Sequence, residues 1–188
     1  MNEIINKEID SAVACISGLK NISNDIETAV NLCVETVKNG GKIIICGNGC
    51  SAGDSQHLVA CLACKFRKNR DAIKAVALTT NQSLITAVSN DFGFDKIFER
   101  QLEAIGNKGD ILIGMSTSGN SKNVVFAFDY AKLNGIKTIS FTGETGGLLK
   151  DKSDVCIKVK SSVSSNIQEA HITIGHILCG LIESEIFK

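Results

Sequence analysis

Apolar residues recur along this chain in two rhythms. Over residues 3–19 and 23–39 the spacing is helical, and in the second stretch Ile26, Ala29, Val30, Leu32, Cys33 and Val37 form one broad face. "NGG" at 39–41 supplies a stop. The rhythm then changes. "KIIIC" is a short unbroken apolar run, as expected of a strand covered on both faces. A helix is predicted from Ser51 to Lys65 and a second strand over 72–80. "NQSLITAVSN" reads as a helix, and "DFGFDKIFERQLEAIG" as another after a turn. A third strand (110–116), a helix (120–135), strands over 136–143 and 155–160, and a last helix from Ser165 to Phe187 complete the pattern. Strands alternating with helices predict an α/β domain with a mostly parallel five-stranded sheet. Residues 1–40, the helical pair, precede the first strand and are expected to pack on the domain or on another subunit. Residues 41–188 form the α/β domain, last helix included, so the chain is effectively one domain.

In such sheets ligands bind beyond the carboxyl ends of the strands. After the first predicted strand comes "GNGCSAGD", where glycines permit close backbone approach and Ser51 opens a helix whose free N–H groups favour an anion. The turn lacks the full dinucleotide fingerprint and the P-loop lysine. After the third strand comes "STSGNS", with Ser116, Thr117, Ser118 and Ser121 clustered where a helix begins. One hydroxyl would suffice for a helix cap. Four hydroxyls without a lysine suit the phosphate monoester of a sugar better than a nucleoside triphosphate.

Composition narrows the field. Twenty basic residues balance 20 acidic ones, so no electrostatic footprint for direct nucleic-acid binding is expected. No apolar run approaches the ~18 residues that span a bilayer. The acidic start, "MNEIINKEID", does not read as a signal peptide, and a cytoplasmic protein is expected. Its eight cysteines are then thiols, mostly small core residues. "CLAC" has redox spacing but lies near a helix end, where the helix dipole does not activate a thiol.

The three histidines are His57, His171 and His176. His57 and Cys61 share a helix face at i,i+4. Gln168 and His176 are eight residues apart on the last helix, roughly 80° around the axis and about 12 Å along it. Spacing alone leaves two readings open: a metal held by His57 and Cys61, or a core histidine beside core cysteines.

Together "GGKIIICGNGCSAGDSQHL", "AVSNDFGFDKIFERQLEAIGNKGDILIGMSTSGNSKNV", "TGETGG" and "IQEAHITIGHIL" resemble the sugar isomerase (SIS) domain family, most closely its sedoheptulose-7-phosphate isomerase branch. The resemblance implies a three-layer αβα sandwich. It implies a homotetramer, with the N-terminal helices in a central bundle and active sites at subunit junctions. The substrate would be a small sugar phosphate, converted from sedoheptulose 7-phosphate to D-glycero-D-manno-heptose 7-phosphate through an enediol in bacterial heptose synthesis. Phosphate would lie on Ser116, Thr117, Ser118 and Ser121. Further substrate contacts fall on Asn48, Gly49, Cys50, Ser51, Asn90, Asp91 and Gln168, and Zn2+ on His57, Cys61, Gln168 and His176.

The chain departs from that pattern at position 61, where the family carries a glutamate that serves as ligand and base. Cysteine binds zinc well but replaces a carboxylate base poorly, which leaves His176, with Cys61, as the expected proton-transfer machinery. A customary Gly-Arg pair is Cys64-Lys65, and Asp-Arg before "IQE" is Ser165-Asn166. The same departure admits an alternative: a non-catalytic relative that binds a sugar phosphate or a replication-initiator protein.

Overall fold

Ile43 and Ile45 enter one hydrophobic cluster while Ile44 and Cys46 enter another. This alternation marks a strand buried on both faces. The strand, β1 (Ile43–Gly47), is wholly buried. It lies inside a five-stranded sheet of order β2-β1-β3-β4-β5, with β2 Ala75–Ala77, β3 Ile111–Ser116, β4 Lys137–Thr142 and β5 Val155–Lys158. The computed structural model describes all 188 residues, Met1–Lys188.

Every strand pair is parallel, so each connection must cross over the sheet, and helices cover both faces. On one face α2 (Ser23–Lys38), α3 (Cys50–Ala63) and α7 (Ser164–Ile186) pack with Ile43, Ile45, Ile113, Phe141 and Ile157. On the other, α4 (Gln82–Phe92), α5 (Ile97–Ile105) and α6 (Lys122–Leu133) pack with Ile44, Cys46 and Leu112. The three-layer sandwich follows from this two-sided burial. α1 (Asn2–Gly18) contributes no buried residue of its own. It is tied to the start of α7, where Asn166 Nδ2 donates to Ser11 Oγ at 2.7 Å and Cys15 Sγ to Asn166 O at 3.5 Å.

The structure trims two predicted elements. The strand expected over 72–80 keeps three residues, because β2 is an edge strand that pairs only with β1, from Ile43↔Ala75 to Ile45↔Ala77. The chain then turns into α4, whose start Asn81 caps by accepting from Leu84 N at 3.0 Å. The helix expected from "DFGF" begins only at Ile97, after Gly93 at φ 91° and a short 3-10 turn, Phe94–Lys96. No helix is long and apolar enough to cross a membrane.

Candidate active site

Two chemical groups form along the helices and loops that follow the strands. At the end of β1 the backbone must turn at once into α3. Gly47 permits this, since a Cβ there would lie 2.7 Å from Ser51 Cβ. Asn48 is then fixed by a reciprocal amide pair with Asn123 of α6, at 2.9 and 2.8 Å. That pair ties the turn after β1 to the helix after β3. No side chain caps α3; Ser51 N and Ala52 N donate to Asn48 O and Gly49 O, both at 3.0 Å, in a tight first turn whose dipole still favours an anion.

At the end of β3, Ser116 Oγ lies 2.9 Å from Ser121 Oγ and 3.5 Å from Ser118 Oγ. Ser121 stands at the N-cap of α6 but makes no side-chain capping bond. The hydroxyls have therefore gathered on one another instead of capping α6, whose first turn is met by Asn123 Oδ1, accepting from Val124 N at 2.9 Å, and whose N-cap amide, Ser121 N, donates to Ser116 Oγ at 3.4 Å. Thr117 and Ser118 also line a cavity of about 210 Å³ with Gly143, Glu144, Thr145, Ser161, Ser162 and Ser164. Its walls carry hydroxyls and no lysine. Asn90 and Asp91 stand at the exposed end of α4, where Asn90 Nδ2 donates to Asp91 Oδ1 at 2.8 Å.

The second group joins α3 to α7. His57 Nε2 lies 2.8 Å from His176 Nε2 and 3.6 Å from Cys61 Sγ. The three donor atoms fall within 4.8 Å of one another. Cys61 is 8% exposed and belongs to the hydrophobic cluster on this face of the sheet. Burial, eased by a bond from Cys179, holds its thiol above the ordinary range, so the chain alone keeps sulfur protonated. Burial also lowers His176, helped by the nearby His57 and Arg67, and so leaves a neutral imidazole, the form that binds metals. Gln168 is half-buried on the same unbroken helix, two turns before His176.

The donor chemistry fits zinc. Tetrahedral bonds of about 2.0–2.1 Å to nitrogen and 2.3 Å to sulfur put N and S roughly 3.5 Å apart and two nitrogens roughly 3.3 Å apart. The Cys61–His57 spacing matches, the two imidazoles need to open by about half an ångström, and Cys61 and His176, within 4.8 Å of each other, draw together on binding. His171 is different: it is wholly buried, its Nε2 meets Thr142 O at 3.2 Å, and Nδ1 has no partner. It is a core residue.

Three residues here were not singled out by the sequence. Asn123 pairs with Asn48, as above. Phe66 stacks on His176, ring centroids 5.6 Å apart and planes at 24°. Asp54 lies one turn before His57 on α3 and is half-buried. Burial raises its carboxyl above the usual carboxylate range, while His57 and His176 pull it down. Asp54, His57 and Cys61 follow i, i+3, i+7 spacing, one stripe of a helix. That pattern is visible in the sequence, but only a fixed helix start gives it meaning.

Comparison with known proteins bears on the whole chain. A family model described as the SIS domain matches residues 9–143. The chain is similar to the phosphoheptose isomerase of Akkermansia muciniphila, at 46% identity over 187 residues, covering 100% of this chain and 99% of that protein. It is similar to that of Helicobacter pylori at 45%, covering 97% and 96% of the two. Among solved structures, the phosphoheptose isomerase of Francisella tularensis superposes with a TM-score of 0.93 at 36% identity, covering 97% of each chain. That of Neisseria gonorrhoeae gives 0.90 at 37%, covering 97% and 98%.

Proposed function

The chain belongs to the SIS-domain family, among its phosphoheptose isomerases, and is an aldose–ketose isomerase; from that premise we propose that it converts sedoheptulose 7-phosphate to D-glycero-D-manno-heptose 7-phosphate in the cytoplasm, with zinc held by His57, Cys61 and His176. The observation that carries the reading is the presence in one chain of a hydroxyl-lined loop at the N-terminus of α6 and a His–Cys–His donor set on α3 and α7. The non-catalytic alternative is not favoured, since the full-length relatives bear the isomerase name.

The phosphate would accept from Ser116, Thr117, Ser118 and Ser121 at the N-terminus of α6. Asn48, Gly49, Cys50, Ser51, Asn90, Asp91 and Gln168 would contact the rest of the sugar. Zinc, when bound, supplies the electrophile that polarises the sugar oxygens at C1 and C2. Isomerisation removes a proton from C1, moves the double bond through an enediol, and returns a proton to C2. With Cys61 and His176 serving as donors, neither is free as the base. The carboxylate of Asp54, on the same stripe of α3 and toward the substrate turn, takes that role in place of the missing glutamate.

The N-terminal helix supports the expected homotetramer with sites at subunit junctions. Ile5, Ile9 and Val13 form an exposed apolar stripe on α1. It runs toward an apolar groove of about 520 Å³ lined by Ile16, Leu19, Ile26, Ile177 and Leu181. A face of this kind is buried in an oligomer.

The direct test is incubation of zinc-loaded protein with sedoheptulose 7-phosphate and chromatography of the sugar phosphates. Formation of the aldose is expected. Unchanged ketose, with the protein folded and zinc bound, would refute the substrate assignment.

A further inference from the structure

Glu183 lies on α7 seven residues after His176 and is 1% exposed. A carboxylate so buried requires full compensation. Three consecutive amides supply it: Phe66 N donates to Oε2 at 3.1 Å, and Arg67 N and Lys68 N donate to Oε1 at 2.8 and 2.9 Å. Arg70 Nε completes the set on Oε2 at 3.0 Å, in a pair whose side chains are 3% and 2% exposed. Burial alone would push this carboxyl up; the amides and Arg70 outweigh it and hold it down to about 2.

The same guanidinium reaches the other donor helix. Arg70 Nη2 donates to Cys61 O at 2.9 Å and Nη1 to Leu62 O at 2.7 Å and Cys64 O at 3.3 Å, closing the last carbonyls of α3. One ion pair thus fastens the end of α3, which carries His57 and Cys61, to α7, which carries His176. Its loop also delivers Phe66 face-on to the His176 ring. Arg67 lies over Phe66 at 5.2 Å and rests on Gly180, where a Cβ would meet its Cζ at 3.2 Å. His176, Gly180 and Glu183 follow i, i+4, i+7 spacing on one face of α7. That face reads the 66–70 loop with a ring, a bare backbone and an anion.

We propose that Glu183 is a positioning residue of the site: through Arg70 and the Phe66–Lys68 amides it sets the α3–α7 separation and the orientation of the His176 ring, and so the geometry of the His57–Cys61–His176 donor set. This rests on reading those three residues as metal donors. The buried pair's role lies in placement, because a buried ion pair by itself is a weak source of stability.

The test uses the full chain and Co2+, whose absorption reports thiolate and imidazole ligation. Two variants separate placement from folding. Glu183→Gln weakens the clamp. Phe66→Leu removes the stack while leaving the amide bonds, which are backbone, in place. Both are expected to weaken Co2+ binding by about 10–100-fold, as loss of an orienting partner does, and to change the Co2+ spectrum. Turnover of sedoheptulose 7-phosphate is expected to lose kcat with KM within about twofold, since the phosphate cradle is untouched. If Glu183→Gln does not fold, Phe66→Leu decides alone. Wild-type Co2+ affinity and spectrum in the folded variants would overturn the proposal. Wild-type protein that binds Co2+ but does not turn over the sugar would refute the substrate assignment, with the affinity losses still supporting Glu183. Wild-type protein that binds no Co2+ would overturn both.

Discussion

Cys61 is the residue on which the chemistry turns. Its sulfur stands 3.6 Å from His57 Nε2, close to the N–S spacing of a tetrahedral zinc site, yet burial keeps the thiol protonated in the bare protein. A metal must therefore displace that proton, and zinc uptake will release it. Cys61→Ser is expected to cost more zinc affinity than the roughly 10–100-fold typical of losing an outer partner, measured by competition with a chromogenic chelator. His57, Cys61 and His176 were legible as separate residues, two by helical spacing and all three by family resemblance. Their 2.8 and 3.6 Å convergence was not, because it depends on how α3 and α7 cross. Phe66 and the Glu183 amide contacts were illegible for the same reason, since they join residues more than a hundred positions apart.

At the scale of elements, the loop after β3 shows what local sequence can and cannot say. Four hydroxyls in "STSGNS" pointed to an anion site. The structure adds that Ser121 declines its capping role and turns to Ser116 at 2.9 Å. Ser121→Ala should raise KM for the sugar phosphate by about 10-fold or more, the loss of one hydrogen bond to a charged group, with kcat little changed in steady-state assays. The same contrast holds for the strands. β1 and β3 were legible because each is a largely apolar run buried on both faces, and β4 because Ile139 and Phe141 alternate with Thr138, Ser140 and Thr142 in a strand pattern. β2 was overextended because an edge strand ends where its single neighbour stops pairing, at Ile45↔Ala77, and nothing in "AIKAVALTT" marks that point.

The whole molecule adds two expectations and one decision. His171 is buried with its proton affinity lowered to about 4, against 6.5 for an ordinary histidine, chiefly by desolvation. Between those values the unfolded chain binds a proton that the folded chain refuses. Stability is therefore full above pH 6.5 and falls as pH drops toward 4, by up to roughly 3 kcal/mol. Glu183, held down to about 2, adds a further loss below about pH 4.5, as its carboxylate is protonated. Urea melts at stepped pH should show this slope, and His171→Leu should flatten it between pH 6.5 and 4. On α1, Ile9 and Val13 are 54% and 55% exposed, an apolar surface that the proposed tetramer would cover. Ile9→Asp should therefore yield smaller species by light scattering, with the α/β core still folded, because no α1 residue is buried within the chain. The central claim is that this isomerase works with a cysteine at position 61 by drawing its base from Asp54. It is tested most directly by running zinc-loaded wild type and Asp54→Asn on sedoheptulose 7-phosphate in D2O and following the sugar by NMR. The account predicts aldose carrying solvent deuterium at C2 from wild type, and a rate about 10²–10⁴-fold lower from Asp54→Asn at equal zinc content. No exchange by the folded, zinc-bound wild type, or undiminished exchange by Asp54→Asn, would contradict it.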